Sequence, residues 1–265
     1  MKSFCKSASL CALIVTLSLI VGCSDTATTP DTSTTDIMPL KAGNYFVYNN
    51  YRLDSLTGIK DNSSLRVDSI VNGMSTTHVG KSCYSFDTYI AGVKTATDYF
   101  AKESKSIWSF SSLLPAGIAT SGVLETILPQ GNRWMKIADY ASIKDSTWAM
   151  YDTTLTNLII PGLAFPINAV ISMKGKRTAD ETITIGTTTY TNAHKFEVIL
   201  SPNATLSGFT IPIGTVKKYM WIADNIGIIK EEFPPIDIQV NVPGVTATRF
   251  RSDGFVKELK TYKLQ

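Results

Sequence analysis

Leu65-Arg66-Val67-Asp68-Ser69-Ile70 alternates apolar and polar residues from Leu65 to Asp68 and ends on Ser69-Ile70. A period of two puts every second side chain on the same side of an extended chain, so this segment reads as a strand with one apolar and one wet face. Ile236-Asp237-Ile238-Gln239-Val240-Asn241-Val242 repeats the pattern, as do Glu181–Ile185 and the start of Lys195–Leu200. Asn44–Tyr51 adds an aromatic and β-branched run of the kind strands favour. Strands of this half-polar type belong to antiparallel sheets with one solvated face. Asn72-Gly73, Ala91-Gly92, Asn225-Ile226-Gly227 and Ser252-Asp253-Gly254 read as the turns between them. Helical spacing is confined to Gly122–Leu128, which Thr120 or Ser121 would cap and Pro129 would end. The expected fold is all-β: one large curved antiparallel sheet, half-barrel or barrel-like, with few short helices.

The sheet may be counted as two similar β units or as one meander. Cys83–Phe86, Asp98–Ala101 and Ile107–Phe110 read as strand, aromatic strand, strand, and so do Lys195–Val198, Lys218–Trp221 and Ile228–Glu231. Any all-β meander produces such echoes, so both readings stay open.

Composition narrows the function classes. The chain has 265 residues, 44% of them hydrophobic and 18% charged, which is enough apolar content for a packed core. A net charge of +3 is too small to make nucleic acid the main partner.

The N-terminus reads as an address. Met1–Ser7 carries Lys2 and Lys6, and Ala8–Val21 is an uncharged, mostly apolar run of 14 residues. A spanning helix needs about 20 apolar residues, whereas a signal-peptide core needs about 7–15. Ile20-Val21-Gly22-Cys23 resembles the bacterial lipobox. The resemblance implies that the Cys23 thiol receives a diacylglyceryl group and that cleavage before it leaves a lipidated N-terminus; the competing reading is an ordinary secretory signal with a chance Cys. It also implies sorting by the residue that follows, and Ser24, in place of Asp, points to the outer membrane.

The expected organisation is a signal peptide over 1–22, a lipidated Cys23 with a disordered Thr/Asp/Ser tether over 23–36, and a β-rich body over 37–265. Losing Lys2 and Lys6 with the signal takes the charge from +3 to +1, so a polybasic patch is not the anchor. Cys5 and Cys11 leave with the signal and Cys23 is acylated, so Cys83 alone remains, as a buried inert thiol or, less simply, a nucleophile.

Tyr219–Lys230 resembles a strand–turn–strand pattern of bacterial lipoproteins of unknown function, which are similar to the half-barrel carriers of the periplasmic lipoprotein-sorting (Lol) family. The resemblance spans about Ala193–Phe233. It implies a curved sheet around an apolar cavity that accepts acyl chains, and it carries over no individual binding residue.

Catalytic signatures are missing from the sequence. His78 and His194 have no metal-ligand spacing and read as surface or turn residues. Glu231-Glu232 is not expected to form an acid/base pair, because adjacent strand residues face opposite ways, and it reads as a solvated pair beside Lys230. No catalytic, cofactor-binding or metal-binding residue is therefore expected, and no cofactor. Three greasy segments around Pro115, Pro161 and Pro212 stand out. Leu114, Ile160, Leu163, Phe165, Phe209 and Ile211 within them are candidates for the rim of an apolar-ligand site; the alternative is irregular core edge. Three functions follow. The first is a non-enzymatic structural or interaction module of the cell envelope, lipid-anchored, with an envelope protein as partner. The second is a half-barrel binder or carrier of lipid-like hydrophobic molecules. The third is a hydrolase with a dispersed site. A filled core favours the first, an open apolar cavity the second, and a His beside Asp and Ser in a cleft the third.

Overall fold

The computed structural model describes residues 36–112, 131–158, 166–206, 209–240 and 248–265. The lipidation site Cys23, the candidate helix Gly122–Leu128, and the rim residues Leu114, Ile160, Leu163 and Phe165 lie outside them. Phe209 and Ile211 fall in a described strand whose backbone pairs with Leu206 and Ala204, but their side chains lie outside the description.

The body is all-β. The first six strands are β1 (Tyr45–Leu53), β2 (Lys60–His78), β3 (Lys81–Ile90), β4 (Val93–Glu103), β5 (Ser106–Ser111) and β6 (Arg133–Asp139). The next six are β7 (Thr147–Leu158), β8 (Ile167–Ile185), β9 (Thr188–Leu206), β10 (Phe209–Pro212), β11 (Val216–Ala223) and β12 (Gly227–Phe233). A hairpin of β13 (Ile236–Val240) and β14 (Thr248–Ser252) forms a separate two-stranded sheet, and β15 (Gly254–Lys263) closes the chain. The main sheet runs β6-β5-β4-β3-β2-β1-β15-β12-β11-β9-β8-β7, antiparallel throughout, with β10 attached to β9. The expected large antiparallel sheet is therefore present, and no helix occurs among the described residues. Both strand triplets of the sequence echo are local meanders, β3-β4-β5 and β9-β11-β12.

The sheet curls until its end strands meet. The Trp148 indole of β7 donates to the Lys136 carbonyl of β6 at 2.8 Å, and the Arg133 guanidinium lies 4.3 Å over the Tyr151 ring. Side chains, rather than a hydrogen-bonded ladder, seal this seam. Asp36–Asn44 crosses one end: Met38 enters the core, and Asn44 donates to the Pro39 carbonyl and accepts from the Gln265 amide. Phe46, Ile70, Phe86, Ile107, Phe196, Met220, Ile229 and Leu259 pack behind it. Asp36–Gln265 is one compact unit that contains every strand pairing and this whole core, and such a unit folds by itself.

Asn72-Gly73 is not a turn. It lies inside β2, where the register with β3 shifts between Asn72 and Ser75. A Cβ on Gly73 would come within 2.1 Å of Ser85 Oγ, so the glycine serves close strand approach at a bulge. The actual turn is Val79-Gly80, both at positive φ. The other three turn readings fall between strands.

Gly175 shows how tight the seam is. It pairs with Trp148, and a Cβ there would lie 2.2 Å from the indole. Gly175→Ala should cost about 1–3 kcal/mol by overpacking, read as a lower denaturation midpoint followed by tryptophan fluorescence.

Candidate functional site

The inner face of the curled sheet encloses a cavity of about 1030 Å³, partly open to solvent. Small-molecule sites span about 300–1,000 Å³, so this is a large one. Phe46, Ile70, Phe86, Phe100, Met135, Ile137, Val198, Leu200, Val216 and Met220 form its apolar wall.

A polar belt interrupts that wall. One row of cross-strand partners runs Arg66, Asn50, Lys257, Glu231, Met220, Phe196 across β2, β1, β15, β12, β11 and β9. Cross-strand partners share a face, so Arg66, Asn50, Lys257 and Glu231 all turn toward the interior with Met220. Lys218, two residues before Met220, joins them. Its ammonium lies 2.6 Å from Glu231 Oε1, and that of Lys257 lies 3.5 Å from Glu231 Oε2. Lys257 also sits 4.4 Å above the Tyr48 ring, whose hydroxyl donates to the Ile228 carbonyl at 2.8 Å. Arg66 grips Asp68 through two parallel bonds of 2.9 and 3.0 Å.

The electrostatics follow from burial. Burial alone would raise the Glu231 carboxyl, but the Lys218 and Lys257 charges outweigh it and hold it down at about 2. Burial pushes the Tyr48 phenol far up. Asp98 of β4 faces the same cavity, and its carboxyl is raised by burial, which Lys257 only partly opposes. No hydrogen bond or ion pair reaches Asp98 among the described residues. Asn50 Nδ2 is likewise buried without a hydrogen-bond partner.

The reading of Glu231-Glu232 as a solvated pair is half wrong. The register shift between Trp221 and Ile222 against β12 makes Ile229 an extra residue and resets the parity. Glu231 therefore turns inward onto two lysines, and Glu232 turns outward to Lys230 at 2.8 Å.

The histidines lie away from the cavity. His78 stacks on Tyr99 with centroids 3.8 Å apart, beside the Val79-Gly80 turn. His194 is not a surface or turn residue: it is in mid-β9 with its side chain 15% exposed. Its Nδ1 is 2.8 Å from Asp180 and its Nε2 is 3.1 Å from Asp224. With both ring nitrogens taken by carboxylates, neither is placed to receive a proton from a hydroxyl nucleophile. Arg177 and Lys144 also pair with Asp180, and after the opposing effect of burial these contacts hold its carboxyl down at about 2. Among the described residues no cluster of His, Cys, Asp and Glu could hold a metal ion. Cys83 is buried, and burial pushes its thiol up.

No family model matches the chain, and no curated protein matches it. Two solved structures are similar to it. One is a candidate lipoprotein from Parabacteroides distasonis, with TM-score 0.43 and 12% identity over 86% of this chain and 99% of that one. The other is a candidate exported protein with a YmcC-like fold from Bacteroides fragilis, with TM-score 0.43 and 14% identity over 87% of this chain and 100% of that one.

Proposed function

We propose that this chain is a lipid-anchored, non-enzymatic lipoprotein of the cell envelope whose barrel-like sheet binds a lipid-like small molecule. The observation that carries the binding role is the cavity of about 1030 Å³ inside the curled sheet, with an aromatic and methionine-rich wall. A plain structural module would fill that space with side chains, because interiors are normally packed to crystal density. The lipobox resemblance at Ile20–Cys23 supports the anchor, and Ser24 favours the outer membrane. The arrangement around His194 supports a binding role over hydrolysis, since its two nitrogens are committed to Asp180 and Asp224.

The test is saturable binding of a fluorescent fatty-acid probe to residues 36–265, compared with Ala96→Trp. Ala96 is exposed at the cavity lining on β4, so a larger side chain there enters the space without disturbing the packed core. The variant should lose about tenfold or more in affinity, some 1.4 kcal/mol, with an unchanged strand-type circular dichroism spectrum. A folded body that takes up no probe overturns the binding role and leaves the interaction module.

A further inference from the structure

The cavity is not uniformly greasy, and its polar groups are arranged by sign. Lys218 and Lys257 stand on one wall with a single carboxylate, Glu231, between them. An ammonium offers three donors, and Glu231 takes one from each lysine. Asn50, directly across the ladder from Lys257, adds a buried amide nitrogen with no partner. On β4, facing the same space, Asp98 presents a carboxylate with no hydrogen bond or ion pair among the described residues. Lys218, Glu231 and Lys257 are the charged groups whose fields reach it. A buried amide nitrogen without a partner is costly, and a half-buried carboxylate that only solvent reaches carries a smaller cost. Both costs vanish when one molecule supplies the missing acceptor to the lysine wall and the missing donor to Asp98.

We propose that the cavity selects a single-chain zwitterionic amphiphile, whose anionic group is held by Lys218, Lys257 and Asn50, whose ammonium is held by Asp98, and whose chain lies on the apolar wall. This rests on the cavity being a ligand site. A purely anionic head satisfies the lysines but sets a like charge against Asp98. An uncharged head leaves both unpaired. Single-chain size follows from the volume, which is at the top of the range for drug-sized ligands. The raised carboxyl of Asp98 agrees with a group that waits for a counter-charge.

The experiment titrates residues 36–265, below the micelle concentration, with three amphiphiles of equal chain length: lysophosphatidylethanolamine, lysophosphatidylglycerol and monoacylglycerol. The zwitterion should bind about tenfold to a hundredfold tighter than the uncharged lipid, the ratio expected for charge-assisted hydrogen bonds. Asp98→Asn should erase that advantage for the ethanolamine lipid while leaving the glycerol phosphate lipid as tight or tighter. The Asp98 side chain makes no hydrogen bond among the described residues, so this variant tests the head while the backbone pairing with Phe86 stays as it is. Lys218→Met should weaken both charged lipids. Equal affinity for all three lipids, or an Asp98→Asn variant that holds the ethanolamine lipid undiminished, overturns the head selection and leaves the chain site standing. No saturable binding of any of the three overturns the ligand site itself, and this inference with it.

Discussion

Glu231→Gln is expected to cost the body about 2–4 kcal/mol at neutral pH, seen as a fall of roughly 5–15 °C in midpoint temperature. The carboxylate holds Lys218 at 2.6 Å and Lys257 at 3.5 Å inside the sheet, and an amide cannot neutralise either. Removing one partner of a buried charge group strands the others, which is dearer than never having had them. Lys218 and Lys257 keep some solvent contact, 31% and 19% of their side chains, and this trims the loss below the fully buried case of about 3–5 kcal/mol. The pH dependence is the discriminating part. Glu231 is held at about 2 in the fold against 4.5 as the ordinary value. A depressed carboxyl contributes stability that is fully present above 4.5 and lost as pH falls toward 2. The gap between the two proteins should therefore be widest above pH 5 and close as pH falls through 2, where the folded wild type takes up its proton at 231. Denaturant melts across that range check it, and a gap that does not change with pH would show that packing, not charge, carries the effect. The half-exposed Lys94–Asp87 pair is the control: Lys94→Met should leave the midpoint nearly unchanged, because exposed ion pairs contribute little. Replacing Lys218, Glu231 and Lys257 together by Met, Leu and Met should recover most of the loss, because a buried ion group and a matched apolar cluster are near equal in stability.

The same cluster marks where the sequence stopped being readable. Strand identity was legible because alternation is local: Leu65–Ile70, Glu181–Ile185 and Ile236–Val240 all lie in strands. Which face is the inside was not. Tyr99, Tyr219 and Trp221 are opposite in parity to the cavity residues Asp98, Phe100, Lys218 and Met220, so none of them faces the cavity, although Trp221 is only 5% exposed and belongs to the packed core. Trp221 can stand there because Lys195 and Lys230 cover its ring at 4.7 and 4.5 Å and Glu181 accepts from its indole nitrogen. The inverted parity makes the inner charges look solvated. Bulges compound this, since one extra residue at Ile229 or near Gly73 flips every assignment beyond it.

Closure was illegible for another reason. β1 pairs with β15 some two hundred residues later, and Lys257 meets Glu231 only because β15 is inserted between β1 and β12. Such contacts are set by whole-sheet topology and leave no short-range mark. Lys218 and Glu231 were the one hint within reach. They flank the Asn225-Ile226-Gly227 turn, and a hairpin with a single bulge makes them diagonal neighbours on one face, two residues from direct pairing. His194 was missed in the same way: its acids Asp180 and Asp224 come from β8 and from the β11–β12 turn, which neighbour β9 on its two sides.

Cys23→Ser is expected to have the largest effect, because it would remove the proposed lipid anchor outright. The lipobox chemistry needs a thiolate at residue 23, and a hydroxyl at that position is a far weaker nucleophile at neutral pH. Membrane affinity grows by about 0.8 kcal/mol per buried methylene, so one chain gives only marginal binding while two or more hold stably. The processed N-terminus that the lipobox resemblance implies carries two or three chains, and losing them should move the partition by many orders of magnitude. A charge of +1 after loss of the expected signal is too small for a polybasic anchor, and no helix among the described residues is long and apolar enough to span a bilayer. Labelled palmitate incorporation in cells that express each protein is the direct measurement, with membrane fractionation beside it. Wild-type protein should carry the label and sediment with membranes. Cys23→Ser should carry none, while its body keeps the same protease-resistant core as the wild type, because every strand pairing lies within residues 36–265. Undiminished label on Cys23→Ser would assign acylation elsewhere. An unlabelled wild-type protein would make residues 1–22 an ordinary secretory signal, and the barrel-like body a freely diffusing binding protein rather than a tethered one.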